Sequence, residues 1–177
     1  FNNSLGGLIG YTNQNGQSKL TIDNSFVNTD ISQITTGNLI TFNASTGGLV
    51  GTNLSASTGL FSIKNSYVTG NISGSSYVGG IIGQNKQTES GSNNIESTYT
   101  TGNITGTKDY VGGLVGNVTG METSAVNIDR CYSIGNIESS GSYVGGIAGY
   151  SKYLNISNVY STSKTKGADN VASFIGH

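Results

Sequence analysis

The sequence contains no proline and no tryptophan, and only one cysteine and one histidine among its 177 residues. A single cysteine, Cys131, excludes an internal disulfide framework, and one cysteine with one histidine cannot supply a zinc-type ligand set. Charged residues make up only 10% of the chain, and the basic ones are scattered, so no basic face is available to a nucleic acid. No apolar run approaches the roughly 20 residues that span a bilayer. We expect no metal, no other cofactor, no nucleic-acid partner and no membrane insertion in this segment.

Glycine is abundant instead, with 28 residues, and small polar residues replace most of the missing charge. Disordered chains favour proline, glutamate and lysine and lack periodic apolar residues. Here isoleucine, valine, leucine and tyrosine recur at regular intervals. The composition therefore favours a tightly turning β protein.

Two motifs alternate along the chain. The glycine motif places two glycines before two apolar residues and a third glycine. Full copies, each preceded by Tyr-Val, begin at Tyr77, Tyr110 and Tyr143, short copies at Gly6 and Gly47, and a degenerate copy at Val171. The aromatic motif, Ile-x-x-small-aromatic, occupies residues 22–26, 63–67, 95–99, 128–132 and 156–160, and three copies continue to Gly-Asn-Ile.

The spacing of the motifs is nearly constant. The second glycine precedes the aromatic residue by 19 positions in the first four copies, and the aromatic residue precedes the next glycine pair by 12 or 13 positions in three copies. Together the two intervals give a period of about 33 residues. The segments are short, rich in β-branched residues and bounded by turn formers, which is typical of strands. We predict an all-β parallel β-solenoid, or β-helix, with about one coil of three short strands per repeat and five to six coils.

We expect residues 1–177 to form a single solenoid domain or a fragment of a longer solenoid. The approximate repeats are 6–46, 47–78, 79–111, 112–144 and 145–177, with an insertion within 32–46.

Coils about 4.8 Å apart place equivalent residues in columns of shared chemistry. We assign three apolar columns to the core: Ile22, Ile63, Ile95, Ile128 and Ile156; Ile31, Ile72, Ile104 and Ile137; and Leu8, Leu49, Ile81, Leu114, Ile147 and Phe174. A small column (Ser25, Ser66, Thr98, Cys131, Val159) is expected to point inward, and a charged column (Asp23, Lys64, Glu96, Asp129, Ser157) outward. The aromatic column (Phe26, Tyr67, Tyr99, Tyr132, Tyr160) is ambiguous, because alternation from the two neighbouring columns gives opposite answers.

The Gly-Gly-Leu-Val-Gly and Asn-Ser-Tyr-x-x-Gly-Asn-Ile units resemble the GLUG repeat over nearly the whole chain, although Ala172 and Ser173 replace the two glycines of the last copy. The resemblance implies an extracellular β-solenoid of large secreted or surface-attached microbial proteins, adhesin-like in character. It supplies no catalytic residues.

Two sets of side chains are candidates for chemistry. Glu96 and Asp129 adjoin in the charged column and are either a calcium site or solvated carboxylates relieved by Arg130 and Lys64; we favour the second interpretation. Asn71 and Asn103 begin Asn-x-Ser/Thr triplets and share a column, so both are candidate N-glycosylation sites.

We expect a non-enzymatic structural or adhesive protein of the cell surface or extracellular space, a stalk or filament-forming unit that associates end to end or continues into flanking repeats. The alternative is a glycan-binding module that meets glycans or a host surface through a ladder of Tyr67, Tyr99, Tyr132 and Tyr160. A carbohydrate-active β-helix enzyme ranks third.

Overall fold

The computed structural model describes residues 3–34 and 44–177, which form 26 short strands and no helix. The strands pair with their equivalents in neighbouring coils, and every such pairing is parallel. Among the described residues, no helix is long and apolar enough to cross a membrane. The predicted parallel β-solenoid is therefore confirmed.

Each complete coil contains five strands. The first coil holds β1 (Ser4–Gly6), β2 (Ile9–Gly16), β3 (Lys19–Asp23), β4 (Phe26–Val27) and β5 (Ile31–Ser32). The second holds β6 (Ser45–Gly47), β7 (Val50–Ser57), β8 (Leu60–Lys64), β9 (Tyr67–Val68) and β10 (Ile72–Gly74). The third holds β11 (Val78–Gly79), β12 (Ile82–Gln87), β13 (Ser92–Glu96), β14 (Tyr99–Thr100) and β15 (Ile104–Gly106). The fourth holds β16 (Val111–Gly112), β17 (Val115–Thr119), β18 (Val126–Asp129), β19 (Tyr132–Ser133) and β20 (Asn136–Ser139). The fifth holds β21 (Val144–Gly145), β22 (Ala148–Lys152), β23 (Leu154–Ser157), β24 (Tyr160–Ser161) and β25 (Lys164–Lys166), and β26 (Val171–Ala172) begins a sixth.

The strands stack into five sheets that run along the solenoid. One sheet contains six strands, from β1 to β26, and the other four contain five strands each. Pairing keeps equivalent motif residues in register, so Ile95 pairs with Ile63 on one side and with Ile128 on the other. The columns deduced from the motif spacing are thus real neighbours in space.

The coil has five strands rather than the three predicted, because two of the predicted segments bend. In the aromatic motif, one residue adopts a left-handed conformation with φ near 50°: Asn24, Asn65, Ser97, Arg130 or Asn158. This residue separates β8 from β9, for example, and turns the chain through a corner. The glycine motif also divides into two strands, β16 and β17, at a bend formed by Gly113 and Leu114, neither of which has a positive φ.

The core matches the predicted columns in the inner coils and departs from them at the ends. Leu49, Ile81, Leu114 and Ile147 are fully buried, whereas Leu8 is 47% exposed and Phe174 is 39% exposed. Both exceptions lie in an outermost coil, which a neighbouring coil covers on one side only. Ile156 is half-buried for the same reason.

Three asparagines lie inside the core, which sequence alternation did not predict. Asn53, Asn85 and Asn93 are fully buried. Asn85 and Asn93 exchange two side-chain hydrogen bonds of 3.0 Å, and Asn53 Nδ2 donates to Asn85 Oδ1 at 2.8 Å. The network satisfies most of the buried amide groups, as burial requires.

Candidate functional site: the external side-chain columns

The aromatic column faces solvent. Phe26 is 58% exposed and Tyr160 51% exposed at its two ends, and the three inner tyrosines are half-buried. The left-handed residue resolves the conflict that alternation left open, because it resets the inside-outside order between the charged and the small column. Asp23, for example, points outward, Ser25 inward and Phe26 outward.

The rings of the aromatic column stack on one another. Successive ring centroids are 5.2, 5.0, 4.7 and 5.0 Å apart, and the ring planes differ by only 3° to 8°. This separation follows from the strand spacing, and each contact adds to stability beyond simple burial. The faces of Tyr67, Tyr99 and Tyr132 are covered by their neighbours on both sides. A ligand therefore meets their edges, and only the outer faces of the terminal rings are open to stacking.

The charged column beside it is a row of ion pairs. Arg130 contacts the carboxylates of both Glu96 and Asp129, and Lys64 Nζ lies 3.4 Å from Asp23 Oδ2. Hydrogen bonds from Ser157 and Asn158 hold the pKa of Asp129 below its usual range. The carboxyl that acts as general acid in a glycosidase needs a raised pKa, which is the opposite shift. Within the described residues, no group of three or more histidine, cysteine or acidic side chains is arranged to hold a metal ion.

The predicted glycosylation candidates line one edge of the solenoid. The side chains of Asn71 and Asn103 are exposed and share a column. Asn71 Oδ1 accepts a hydrogen bond from the backbone N–H of Asn103 at 3.0 Å, and Asn103 Oδ1 accepts one from the N–H of Asn136 at 2.9 Å. Each amide thus caps the next coil. Their glycosylation stays a prediction.

A second amide row, the amide column of Asn94, Asn127 and Asn155, runs along the outside of β13, β18 and β23. Asn127 Nδ2 donates to Asn94 Oδ1 and Asn155 Nδ2 donates to Asn127 Oδ1, each at 3.0 Å. A shallow groove of about 430 Å³ follows this row across several coils. Its lining is polar and consists of Thr58, Gly59, Ser90, Gly91, Ser92, Ser124, Ala125, Asn127 and Asn155.

A second stack, the tyrosine column of Tyr77, Tyr110 and Tyr143, was not singled out from the sequence. Its ring centroids are 4.9 and 5.0 Å apart. Tyr150 packs edge-on against Tyr110 and Tyr143 at 5.8 and 6.2 Å, and burial raises the pKa of Tyr110. The signal is present in the sequence, because these tyrosines begin the three full glycine motifs, but the motif pattern alone predicts them only as strand residues.

The tyrosine column carries backbone strain. Its residues have φ values of 49°, 70° and 61°, which is uncommon for large side chains. The equivalent residue of the last coil, Asn170, has φ of 52° and suits that conformation better. In the third to fifth coils, these tyrosines gain stacking contacts that favour the arrangement.

Cys131 and His177, the one cysteine and the one histidine of the chain, both contact neighbouring residues of the solenoid. Cys131 is buried in the small column, and burial raises the pKa of its thiol to about 11. The thiol therefore packs as a small apolar group, in a column that the sequence predicts to point inward. The ring of His177 lies 5.5 Å from that of Tyr143 and 5.4 Å from that of Tyr150.

Fold and surface together define a parallel β-solenoid repeat protein whose outer columns run from coil to coil. The family model of the GLUG motif matches residues 42–73, a stretch that includes strands β6 to β9 of the second coil, so the predicted resemblance to GLUG-motif repeat proteins is confirmed. Searches of curated proteins and of solved structures returned no match.

Proposed function

We propose that this protein is a non-enzymatic structural or adhesive element of the cell surface or extracellular space, a solenoid stalk or filament-forming unit. The observation that carries the proposal is the continuity of its outer columns. The aromatic column links all five complete coils by ring stacking, and the edge asparagines and the amide column add side-chain hydrogen bonds between coils. Aromatic rings and side-chain amides, which bind ligands in many other proteins, here form contacts between successive coils.

The composition supports an extracellular setting. The single thiol is buried with a raised pKa, so an oxidising environment leaves the fold unchanged. The outer columns consist mainly of asparagine, serine, threonine and tyrosine, which keep their hydrogen bonds at any extracellular ionic strength better than ion pairs do.

Surface exposure is tested on intact cells of the producing organism with an antibody against the folded protein. We expect labelling without permeabilisation, and loss of the signal after brief treatment with external protease. Labelling that requires permeabilisation contradicts the proposed location. A cytosolic protein of the same cells, labelled only after permeabilisation, is the control.

Glycan binding is the second candidate, and the polar groove along the amide column favours it. Aromatic edges and side-chain amides recognise sugars by hydrogen bonds to hydroxyl groups, whereas stacking on a sugar ring requires an open aromatic face. The inner tyrosines offer edges. A glycan bound here therefore lies across hydroxyl groups and amides rather than on ring faces.

A glycan array with three variants tests this candidate. Tyr99→Phe removes the hydroxyl and keeps the stack, Asn127→Ala removes the middle of the amide column, and Glu138→Gln on another sheet is the control. We expect a bound glycan to be lost with the first two variants and kept with the control. Binding unchanged in all three, or no binding by the parent protein, excludes this mode.

A further inference from the structure

The second and third glycines of the glycine motif face opposite neighbouring coils. A Cβ atom added to the second glycine would overlap the carbonyl oxygen of the following coil: Gly7 meets Gly48, Gly48 meets Gly80, Gly80 meets Gly113, Gly113 meets Gly146, and Gly146 meets Ser173. A Cβ atom added to the third glycine would meet the preceding coil instead. At Gly116 it would lie 2.6 Å from the oxygen of Gly83, and at Gly176 it would lie 2.6 Å from the oxygen of Gly149.

The residues at the second and third glycine positions therefore indicate whether a further coil can pack against each end of the solenoid. An added Cβ atom at the second position would also overlap a side chain of its own coil, such as Val68 beside Gly48 or Ser133 beside Gly113. The second position therefore requires glycine in a complete coil that another coil follows, and the third requires it when another coil precedes. Real Cβ atoms do not approach a carbonyl oxygen so closely, so any larger residue prevents the coils from reaching hydrogen-bonding distance.

The C-terminal face carries a side chain at the second position. Ser173 takes the place of Gly146 in the next coil, and the hydrogen-bond pattern of the motif continues there, since the amides of Ile147 and Ala148 both donate to the carbonyl of Phe174. In the inner coils the amides of Leu114 and Val115 likewise share the carbonyl of Ile147. The Cβ atom of exposed Ser173 therefore points along the axis, where a further coil would place its carbonyl oxygen.

The N-terminal face shows the reverse. Gly10 occupies the third position of the first coil, and among the described residues an added Cβ atom would meet only Ser4, whose oxygen would lie 3.0 Å away. The equivalent Gly51 is crowded by Gly10 and Leu5 of the preceding coil, at 2.5 to 2.7 Å. Gly10 therefore has no side chain at the position where a preceding coil would allow none. Leu8 and Phe26 are also exposed on this face.

We infer that the solenoid is polar: its N-terminal face is an acceptor for one further coil of the same glycine-motif type, and its C-terminal face is sterically closed by Ser173. Unmodified copies of this chain then do not stack head to tail, because each contact would bring Ser173 of one copy against the acceptor face of the next. Of the two axial modes expected from the sequence, continuation from preceding repeats is favoured over plain self-stacking. The polarity follows from backbone contacts and holds whether or not the molecule is a stalk.

The test adds one extra coil to either end of the whole chain. The N-terminal fusion places a copy of residues 112–144 before Gly6 in place of residues 1–5, and the C-terminal fusion places a copy of residues 118–150 after His177; both keep the register. We expect the N-terminal fusion to raise Tm by about 5 °C or more. We expect the C-terminal fusion to leave Tm unchanged or lower, and the same fusion with Ala172→Gly and Ser173→Gly to recover the gain.

Gly10→Ala supplies the matched control for the acceptor face. It is expected to leave Tm of the parent chain nearly unchanged but to abolish the gain of the N-terminal fusion, whereas Gly116→Ala lowers Tm in both. In sedimentation velocity, the unfused chain with Ala172→Gly and Ser173→Gly is expected to associate more strongly than the parent. Equal stabilisation of the C-terminal fusion with Ser173 present or replaced overturns the inference.

Discussion

Asn85 holds two other buried amides in place, and its neighbours make the cost of removing it measurable. Position 85 pairs with Asn53 on one side and with Val118 on the other, so valine fits this column in the next coil. Asn53 Oδ1 has no hydrogen-bond partner, whereas Asn85 bonds to Asn53 and to Asn93. The same substitution at the two positions therefore has different consequences.

Asn85→Val is expected to lower the free energy of unfolding by at least about 2 kcal/mol, because it leaves two buried amides without partners. Asn53→Val is expected to be neutral or slightly stabilising, because it removes an unsatisfied oxygen and leaves the Asn85–Asn93 pair intact. Urea denaturation followed by circular dichroism measures both. Equal losses for the two variants would show that side-chain volume, and not hydrogen bonding, controls this column.

Cys131 gives the protein a pH dependence of known sign. Its pKa is raised by burial to about 11, above the ordinary value of 9.0, so the thiol stays neutral in the folded state after it begins to ionise in the unfolded state. The stabilisation is fully present below pH 9 and is lost as pH rises toward 11. Tyrosines with raised pKa values act in the same direction, so a comparison variant is needed.

Cys131→Val isolates the thiol, because Val159 occupies the same column in the next coil. Between pH 7 and about pH 10.5, the parent is expected to lose about 2 kcal/mol more free energy of unfolding than the variant. Urea titrations at both pH values give the difference. Parallel losses in parent and variant would place the pH dependence in the tyrosines alone.

At the scale of the strand, the sequence predicts which side chains stack in columns better than it predicts where the chain turns between strands. Ile95 and its equivalents lie in the core because a period of about 33 residues stacks equal side chains. The corner that follows is made by asparagine in three coils (Asn24, Asn65, Asn158), but by Ser97 and Arg130 in the other two. Asparagine favours the left-handed conformation and serine and arginine do not, so local propensity gives only a partial signal, and the sequence predicts fewer strands per coil than the structure contains. The tyrosine column was missed for a different reason, since its left-handed φ is atypical of tyrosine.

The aromatic column links strands β4, β9, β14, β19 and β24, and its energetics depend on position along the stack. Tyr99 stacks on two rings, at 5.0 and 4.7 Å, whereas Tyr160 stacks on one ring, at 5.0 Å. Each stacked pair contributes about 0.5–1.5 kcal/mol beyond area burial.

Tyr99→Ala is therefore expected to cost about twice as much free energy of unfolding as Tyr160→Ala. Tyr99→Phe keeps both stacking contacts and is expected to stay close to the parent. The three variants are compared by urea denaturation with a common slope. If Tyr99→Ala and Tyr160→Ala are equally destabilising, the stack is a consequence of strand spacing and contributes no energy of its own.

At the scale of the whole molecule, each coil contacts only its neighbours, so stability accumulates along the axis. The outer columns add side-chain coupling to the backbone hydrogen bonds at every interface between complete coils. The molecule is thus a one-dimensional array in which register matters more than length. Removing a full period preserves each column, and removing half a period destroys all of them.

Deletion of residues 112–144 is the direct test of that array. Val111 pairs with Val144 and Gly112 with Gly145, so the deletion joins equivalent points of adjacent coils and leaves one coil fewer. We expect a folded solenoid with an unchanged circular dichroism signal per residue, lower Tm, and a urea m-value reduced by about a fifth, because less surface is exposed on unfolding. Deletion of residues 112–128 joins the glycine motif to the wrong column and is expected to abolish cooperative unfolding. Folding of both variants, or of neither, would contradict a register-controlled array.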